Sequence, residues 1–179
     1  MADPAWSDPL DYSFSATHGG RWNAPGSHAV LYLSANPDTA RMQVERLCAA
    51  GPFTIDDLAD DAYTLVVATV PAGQRVADAK SADGLAELAL PASYPADAQG
   101  DILPHSACQP IGRQVKDAGL QGIWCKSACT PDGAGRELAW FPDSGAKATS
   151  VGPAISLGGW RYAKKWEEIG YSEQPELAP

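Results

Sequence analysis

Fifteen prolines and seventeen glycines are spread along 179 residues without an internal repeat, and this spread limits the fold more than any other feature. Proline cannot continue a helix or donate to a sheet ladder, and glycine weakens both, so the elements must be short and joined by many loops. Hydrophobic residues make up 45% of the chain, enough for a packed core in one domain of ordinary size. No segment approaches the roughly 20 apolar residues of a membrane helix. The opening stretch from Met1 to Leu10 carries two aspartates and no Lys or Arg, unlike a secretory leader. A cytoplasmic location is the expectation, with Cys48, Cys108, Cys125 and Cys129 as free thiols rather than disulfides. The net charge is −9 with no basic run to offset it, which argues against direct nucleic-acid binding. It favours a small-molecule substrate or a basic protein partner.

The local patterns predict a mixed α/β (α+β) domain without strict βαβ alternation. The first twenty residues read as loop. Ala29 to Ser34 predicts a short buried strand, and Asn36-Pro37 a helix start that carries through to about Ala49 before Gly51-Pro52 stops it. Its apolar stripe is Ala40, Val44, Leu47 and Cys48. Tyr63 to Val70 is the clearest strand, β-branched and bounded by Pro71. Asp83 to Leu90 and His105 to Ala118 predict helices, the second ended by Gly119. Gly122 to Ser127 and Glu137 to Phe141 predict strands joined by the turn Thr130-Pro-Asp-Gly133. Lys147 to Val151 and Ala154 to Leu157 read as edge strands, Trp160 to Ile169 as a last helix, and residues 172–179 as a flexible tail.

Three constellations bear on chemistry. His105 and Cys108, with Cys125 and Cys129, approach zinc-ligand spacing. The second pair, however, falls in or beside a predicted strand, and the first runs on into a helix, so buried structural thiols are the reading and no metal is expected. There is no G-x-S-x-G, G-x-G-x-x-G or P-loop motif. The segment His18-Gly-Gly-Arg-Trp-Asn-Ala-Pro-Gly26 can bring backbone close to a ligand and aim a guanidinium at phosphate oxygens. Residues alone leave it open between an anion-binding loop and a glycine turn whose arginine makes a surface ion pair.

The run GGRWNAPGSHAVLYLSANPDTARMQVERL resembles the opening of the RES domain, the toxin half of certain bacterial toxin–antitoxin pairs. That family shows a G-x-R-W/F-N-x-x-G loop, a V-L-Y strand and an A-x-x-E helix. Further on, CQPIGRQVKDAGLQGIWCKSA resembles the family's Q-x-I/L-G helix and G-x-x-x-x-S-A strand, with Gln109, Gly112, Gly122, Ser127 and Ala128 in order. Together the likeness covers about residues 12–142. Two departures stand out: Lys126 where the family often has proline, and Glu137-Leu-Ala-Trp-Phe-Pro142 where it has an asparagine-containing strand.

The resemblance implies an ADP-ribosyltransferase-like split or bent β-sheet with flanking helices. A catalytic domain would span 12–171, behind an N-terminal loop segment 1–11. It implies NAD as substrate, with the nicotinamide–ribose bond broken by phosphorolysis or hydrolysis and inorganic phosphate a possible acceptor. ADP-ribosylation of a protein target and an inactive RES-like binding module are the alternatives. Arg21, Glu45 and Ser127 would be catalytic. Glu45 would hold the ribose and stabilise an oxocarbenium-like transition state, and Arg21 would hold a phosphate. Gly20, Tyr32, Ser127 and His18 would complete substrate binding, Tyr32 by stacking on nicotinamide. An antitoxin of Xre type is the implied partner. Without the resemblance, Glu45 reads as a surface ion pair with Arg41, one helical turn earlier.

Overall fold

The computed structural model describes residues 1–130 and 133–172. Its centre is a four-stranded sheet built from β1 (Leu31–Ser34), β4 (Ala77–Ala79), β5 (Gly122–Lys126) and β6 (Arg136–Trp140), in the order β1-β6-β5-β4. The β1/β6 and β6/β5 pairs are antiparallel and β5/β4 is parallel. Beside it lie two two-stranded ladders. One pairs β2 (Thr64–Leu65) with β8 (Ile155–Ser156), the other β3 (Ala68–Thr69) with β7 (Thr149–Ser150). The sheet is therefore split, in a mixed α/β domain with flanking helices.

Period-2 alternation sorts the central strands into two faces. Ile123, Cys125, Ala139 and the ring of Tyr32 pack on one side with Trp22, Tyr94 and Cys108. On that side lie α3 (Ala82–Glu87), against β4, and α4 (His105–Asp117), against β5. Leu31, Leu33, Trp124, Leu138 and Trp140 form the opposite layer. A third cluster joins α2 (Pro37–Cys48) to the smaller ladders through Ala40, Val44, Cys48, Leu65, Leu157 and Trp160.

Where the signal is local, the structure follows it. Asn36 caps α2 by accepting from the Thr39 N–H at 2.8 Å, with Pro37 at the first helical position. Ser81 caps α3 in the same way. Elsewhere the elements are shorter than the sequence predicts. Residues 1–20 are not all loop: α1 (Ser13–His18) forms there, and Ala2 bridges to Thr64. Tyr63 to Val70 is not one strand, because its two halves pair with different partners, β8 and β7, and Val66-Val67 makes the change. The helix expected over Trp160 to Ile169 is replaced by α5 (Leu157–Trp160) and a separate 3-10 turn at Trp166–Ile169. Between them Arg161 turns inward, donating to the Ile55 and Leu58 carbonyls at 3.3 and 3.2 Å and to Asp60 at 2.5 Å. Part of the turn Thr130-Pro-Asp-Gly133, and the tail from 173 onward, lie outside the described residues. Among those described, no helix is long and apolar enough to cross a membrane.

Candidate active site

The site begins with the loop from Gly19 to Gly26, which is built on one buried amide. Asn23 donates through Nδ2 to the Ser15 and His28 carbonyls at 2.7 and 3.0 Å, and its Oδ1 accepts from the Tyr32 hydroxyl at 2.9 Å. The same hydroxyl accepts from the Trp22 N–H at 2.9 Å. A side chain at Gly20 would meet the Tyr32 ring, since its Cβ would stand 2.5 Å from the hydroxyl oxygen. From the other side α4 presses on the loop: a Cβ at Gly112 would lie 1.8 Å from the Trp22 carbonyl oxygen. Gln109 donates to the Gly20 carbonyl at 3.0 Å. Loop, strand and helix thus hold Arg21 in place, and its guanidinium donates to the Leu103 carbonyl at 2.9 Å and to Cys108 Sγ at 3.6 Å.

Arg21 opens onto a cleft of about 520 Å3, lined also by Tyr32, Gln43, Arg46, His105 and Glu137. The carboxylate comes from β6, where Glu137 is paired with Ser34 of β1 and with Cys125 of β5. A closed ring of hydrogen bonds holds it. Ser127 Oγ and Gln43 Nε2 both donate to Glu137 Oε1. The Cys129 N–H donates to Ser127 Oγ at 3.1 Å, and Cys129 Sγ donates to Gln43 Oε1 at 2.9 Å. Burial pushes the Glu137 pKa above the ordinary carboxylate range, while the Ser127 hydrogen bond, Arg21, Gln43 and Arg46 pull the other way. Burial and the two arginines also keep His105 below its usual value. Tyr32 is raised by burial and stays a neutral phenol. Arg46 is anchored by donation to the Ala128 carbonyl at 2.8 Å. The result is one half-buried carboxylate sharing a cleft with two guanidinium groups.

The residues expected from sequence divide. Arg21 and Tyr32 line this cleft. Ser127 is fully buried behind it, bonded to Glu137. Gly20 lies at its back against Tyr32. His18 is exposed and stacks on Phe14 with ring centroids 4.0 Å apart, away from the cleft. Glu45 does not line the cleft either: it accepts from Arg41, which also donates to Asp38 at 2.7 Å. Helical phase explains this. Gln43, Arg46, Leu47 and Ala50 face the cleft with the i, i+3, i+4, i+7 spacing of one helix side, whereas Glu45 sits on the other flank with Arg41 and Asp38. Counting A-x-x-E from Ala40 reaches Gln43, not Glu45. That stripe was the signal available in the sequence for Gln43 and Arg46. Among the described residues, His105, Cys108, Cys125 and Cys129 are not gathered into a group that would hold a metal ion, and all four cysteines are free thiols.

A model of the RES domain matches residues 3–162, nearly the whole chain. The chain belongs to the RES family. The fold agrees: a chain from the crystal structure of the M. tuberculosis MbcT–MbcA toxin–antitoxin complex is similar at a TM-score of 0.62 and 22% identity. That likeness covers 86% of this RES protein and 79% of that chain. Comparison with curated proteins gives no match. The matched range includes the loop around Arg21, the helix around Gln43 and the strand around Glu137.

Proposed function

We propose that this RES domain cleaves the bond between nicotinamide and ribose in NAD, and that it acts as a toxin held in check by an antitoxin. The observation that carries the reading is the cleft itself, a half-buried carboxylate sharing it with Arg21 and Arg46. The bond to be broken joins ribose C1′ to a cationic pyridinium nitrogen. When it opens, its electron pair goes to the ring, nicotinamide leaves neutral, and positive charge develops on the ribose. Glu137 is the anion beside that charge, and a fixed anion aimed at charge that appears only in the transition state is an efficient way to lower the barrier. Gln43 and Ser127 hold it in one orientation before substrate arrives. Glu137 thus takes the part that the A-x-x-E pattern would give a helix carboxylate, and Gln43 supplies an amide in its place.

Arg21 and Arg46 suit the pyrophosphate, as guanidinium groups do, and His105 near them remains neutral. Water, losing a proton, or inorganic phosphate then captures the ribose cation, giving ADP-ribose or its 1″-phosphate. Tyr32, with its hydroxyl committed to Asn23 and Trp22, offers its ring as a rigid wall. The antitoxin reading rests on the relative solved in such a complex, and the charge of −9 suits a partner with basic contacts. The test is purified protein incubated with NAD with and without phosphate, the products separated by chromatography. Nicotinamide release abolished by Arg21→Ala supports the reading, and a phosphate requirement selects phosphorolysis. Intact NAD under both conditions refutes it.

A further inference from the structure

Glu137 is held through one of its two oxygens. Ser127 Oγ and Gln43 Nε2 both donate to Oε1, and among the described residues no hydrogen bond reaches Oε2. Oε2 is therefore the oxygen left for a ligand, and the two donors on Oε1 keep the carboxylate turned that way. Both donors lead back to Cys129, which follows the end of β5 and lines the cleft half-buried. Its backbone N–H donates to Ser127 Oγ at 3.1 Å, and its thiol donates to Gln43 Oε1 at 2.9 Å. With Oγ accepting from the Cys129 N–H, Ser127 has its own proton free for Glu137. The Gln43 amide has nearly the same shape either way round, so its partners decide which end points where. The Glu137 anion requires the NH2 end, and the thiol S–H requires the carbonyl end. The two requirements agree, and the amide has one orientation.

Resting on the NAD reading above, we propose that Cys129 is a positioning residue for the reaction. Its thiol orients Gln43, and through Gln43 it keeps Glu137 Oε1 occupied and Oε2 open to the ribose. The role needs the thiol and not the thiolate, since only S–H has a proton to donate. Burial and the Glu137 charge raise the Cys129 pKa against the pull of Arg46 and Arg21, so the proton stays on at neutral pH. Without the thiol, Gln43 Oε1 loses its partner, the amide turns about its last bond, and Glu137 Oε1 keeps Ser127 alone. A carboxylate with one donor fewer holds its proton more tightly, so the Glu137 pKa, already raised by burial, rises further. The other titratable groups around Glu137 are Arg21, Arg46 and His105 in the cleft and Tyr32, Tyr94 and Cys125 beside it. Gln43 is the one through which Cys129 acts, so the two substitutions must not add.

The test follows the Glu137 carboxyl carbon by NMR through a pH titration with no NAD present. It compares the unaltered protein, Cys129→Ala, Cys129→Ser, Gln43→Ala, and Cys129→Ala with Gln43→Ala together; Glu137→Gln assigns the signal. The expected result is a midpoint raised by about half a pH unit or more in Cys129→Ala. Cys129→Ser, which keeps a donor, returns it toward the unaltered value, and adding Cys129→Ala to Gln43→Ala raises it no further. A merely structural cysteine would lower the Tm in Cys129→Ala and leave the midpoint where it was. An unmoved midpoint, a serine variant that behaves like alanine, or two shifts that add overturns the proposal. If Cys129→Ala does not fold, the Gln43 side-chain amide of the unaltered protein decides. Held at both ends, its protons exchange slowly with water, and exchange as fast as in a free glutamine overturns the proposal. None of these readouts needs turnover, so failure to cleave NAD counts against the NAD reading separately from the hold of Cys129 on Gln43.

Discussion

Replacing Asn23 with alanine removes no group that touches the cleft, yet it unties the loop that carries Arg21. Asn23 is fully buried and makes three side-chain hydrogen bonds, to Ser15, His28 and Tyr32. At about 1 kcal/mol net for each, the loss is about 3 kcal/mol, and more if the carbonyls and phenol left behind stay dry and unpaired. For a domain of this size that corresponds to a fall in Tm of roughly 6–12 °C. Asn23→Asp is informative because it keeps the shape. It retains an acceptor for the Tyr32 hydroxyl but turns a carboxylate oxygen toward two carbonyls, so it should be at least as harmful as alanine. Urea melts give the stability, and NAD turnover on the folded fraction gives the coupling to the site. If Asn23→Ala costs under about 1 kcal/mol, or Asn23→Asp is better tolerated than Ala, the loop is not held in the way described.

Other outcomes follow from the same structure. Glu45→Ala should change stability by less than about 0.5 kcal/mol in a urea melt, because it removes one i, i+4 pair on a helix surface. Gly112→Ala should destabilise by about 1–3 kcal/mol or more, since the new Cβ must move from 1.8 Å to ordinary contact beyond 3.4 Å from the Trp22 backbone; thermal melts check this. Glu137→Gln should stabilise the protein at neutral pH while reducing activity. Burial raises the Glu137 pKa above its ordinary 4.5, so wild-type stability attributable to this group is greatest below that value and is lost as pH rises through the raised pKa. The neutral glutamine has no such dependence and keeps an Oε1 acceptor for Ser127 and Gln43. Its advantage in melts should therefore be absent below about pH 4, grow as the pH rises through the raised pKa of Glu137 and level off above it, where the carboxylate is the anion; an advantage that shrinks with rising pH would reverse the sign.

Local signals were legible in the sequence and long-range ones were not. Asn36-Pro37 announces α2 because capping is settled by neighbours in the chain. The Gly-Gly-Arg-Trp-Asn loop was legible as a place for Arg21, since glycine there allows the close approach of Tyr32. Tyr63 to Val70 misled, because a continuous apolar run carries no sign that its halves will pair with different strands. Glu137 was hidden for a related reason. Its position over the cleft depends on the register that sets it against Ser34 and Cys125, more than ten residues away in both cases, and in sequence it looked like a departure from the family's asparagine-containing strand. The resemblance points to Glu45 on α2, whereas the stripe Gln43, Arg46, Leu47, Ala50 marks the cleft side of the helix. A carboxylate on the strand and an amide on the helix can meet in the same place as the reverse arrangement, and only the fold shows which of the two the chain has.

The most direct measurement of the central claim is the rate of nicotinamide release from NAD by the wild-type protein, Glu137→Gln and Glu45→Ala, compared at saturating substrate. The account predicts that Glu45→Ala stays near the wild-type rate and that Glu137→Gln falls by about a hundredfold or more, the usual scale for losing one preorganised electrostatic group. A Glu137→Gln protein that works as well as the wild type, or a Glu45→Ala protein that is dead while still folded, would contradict it.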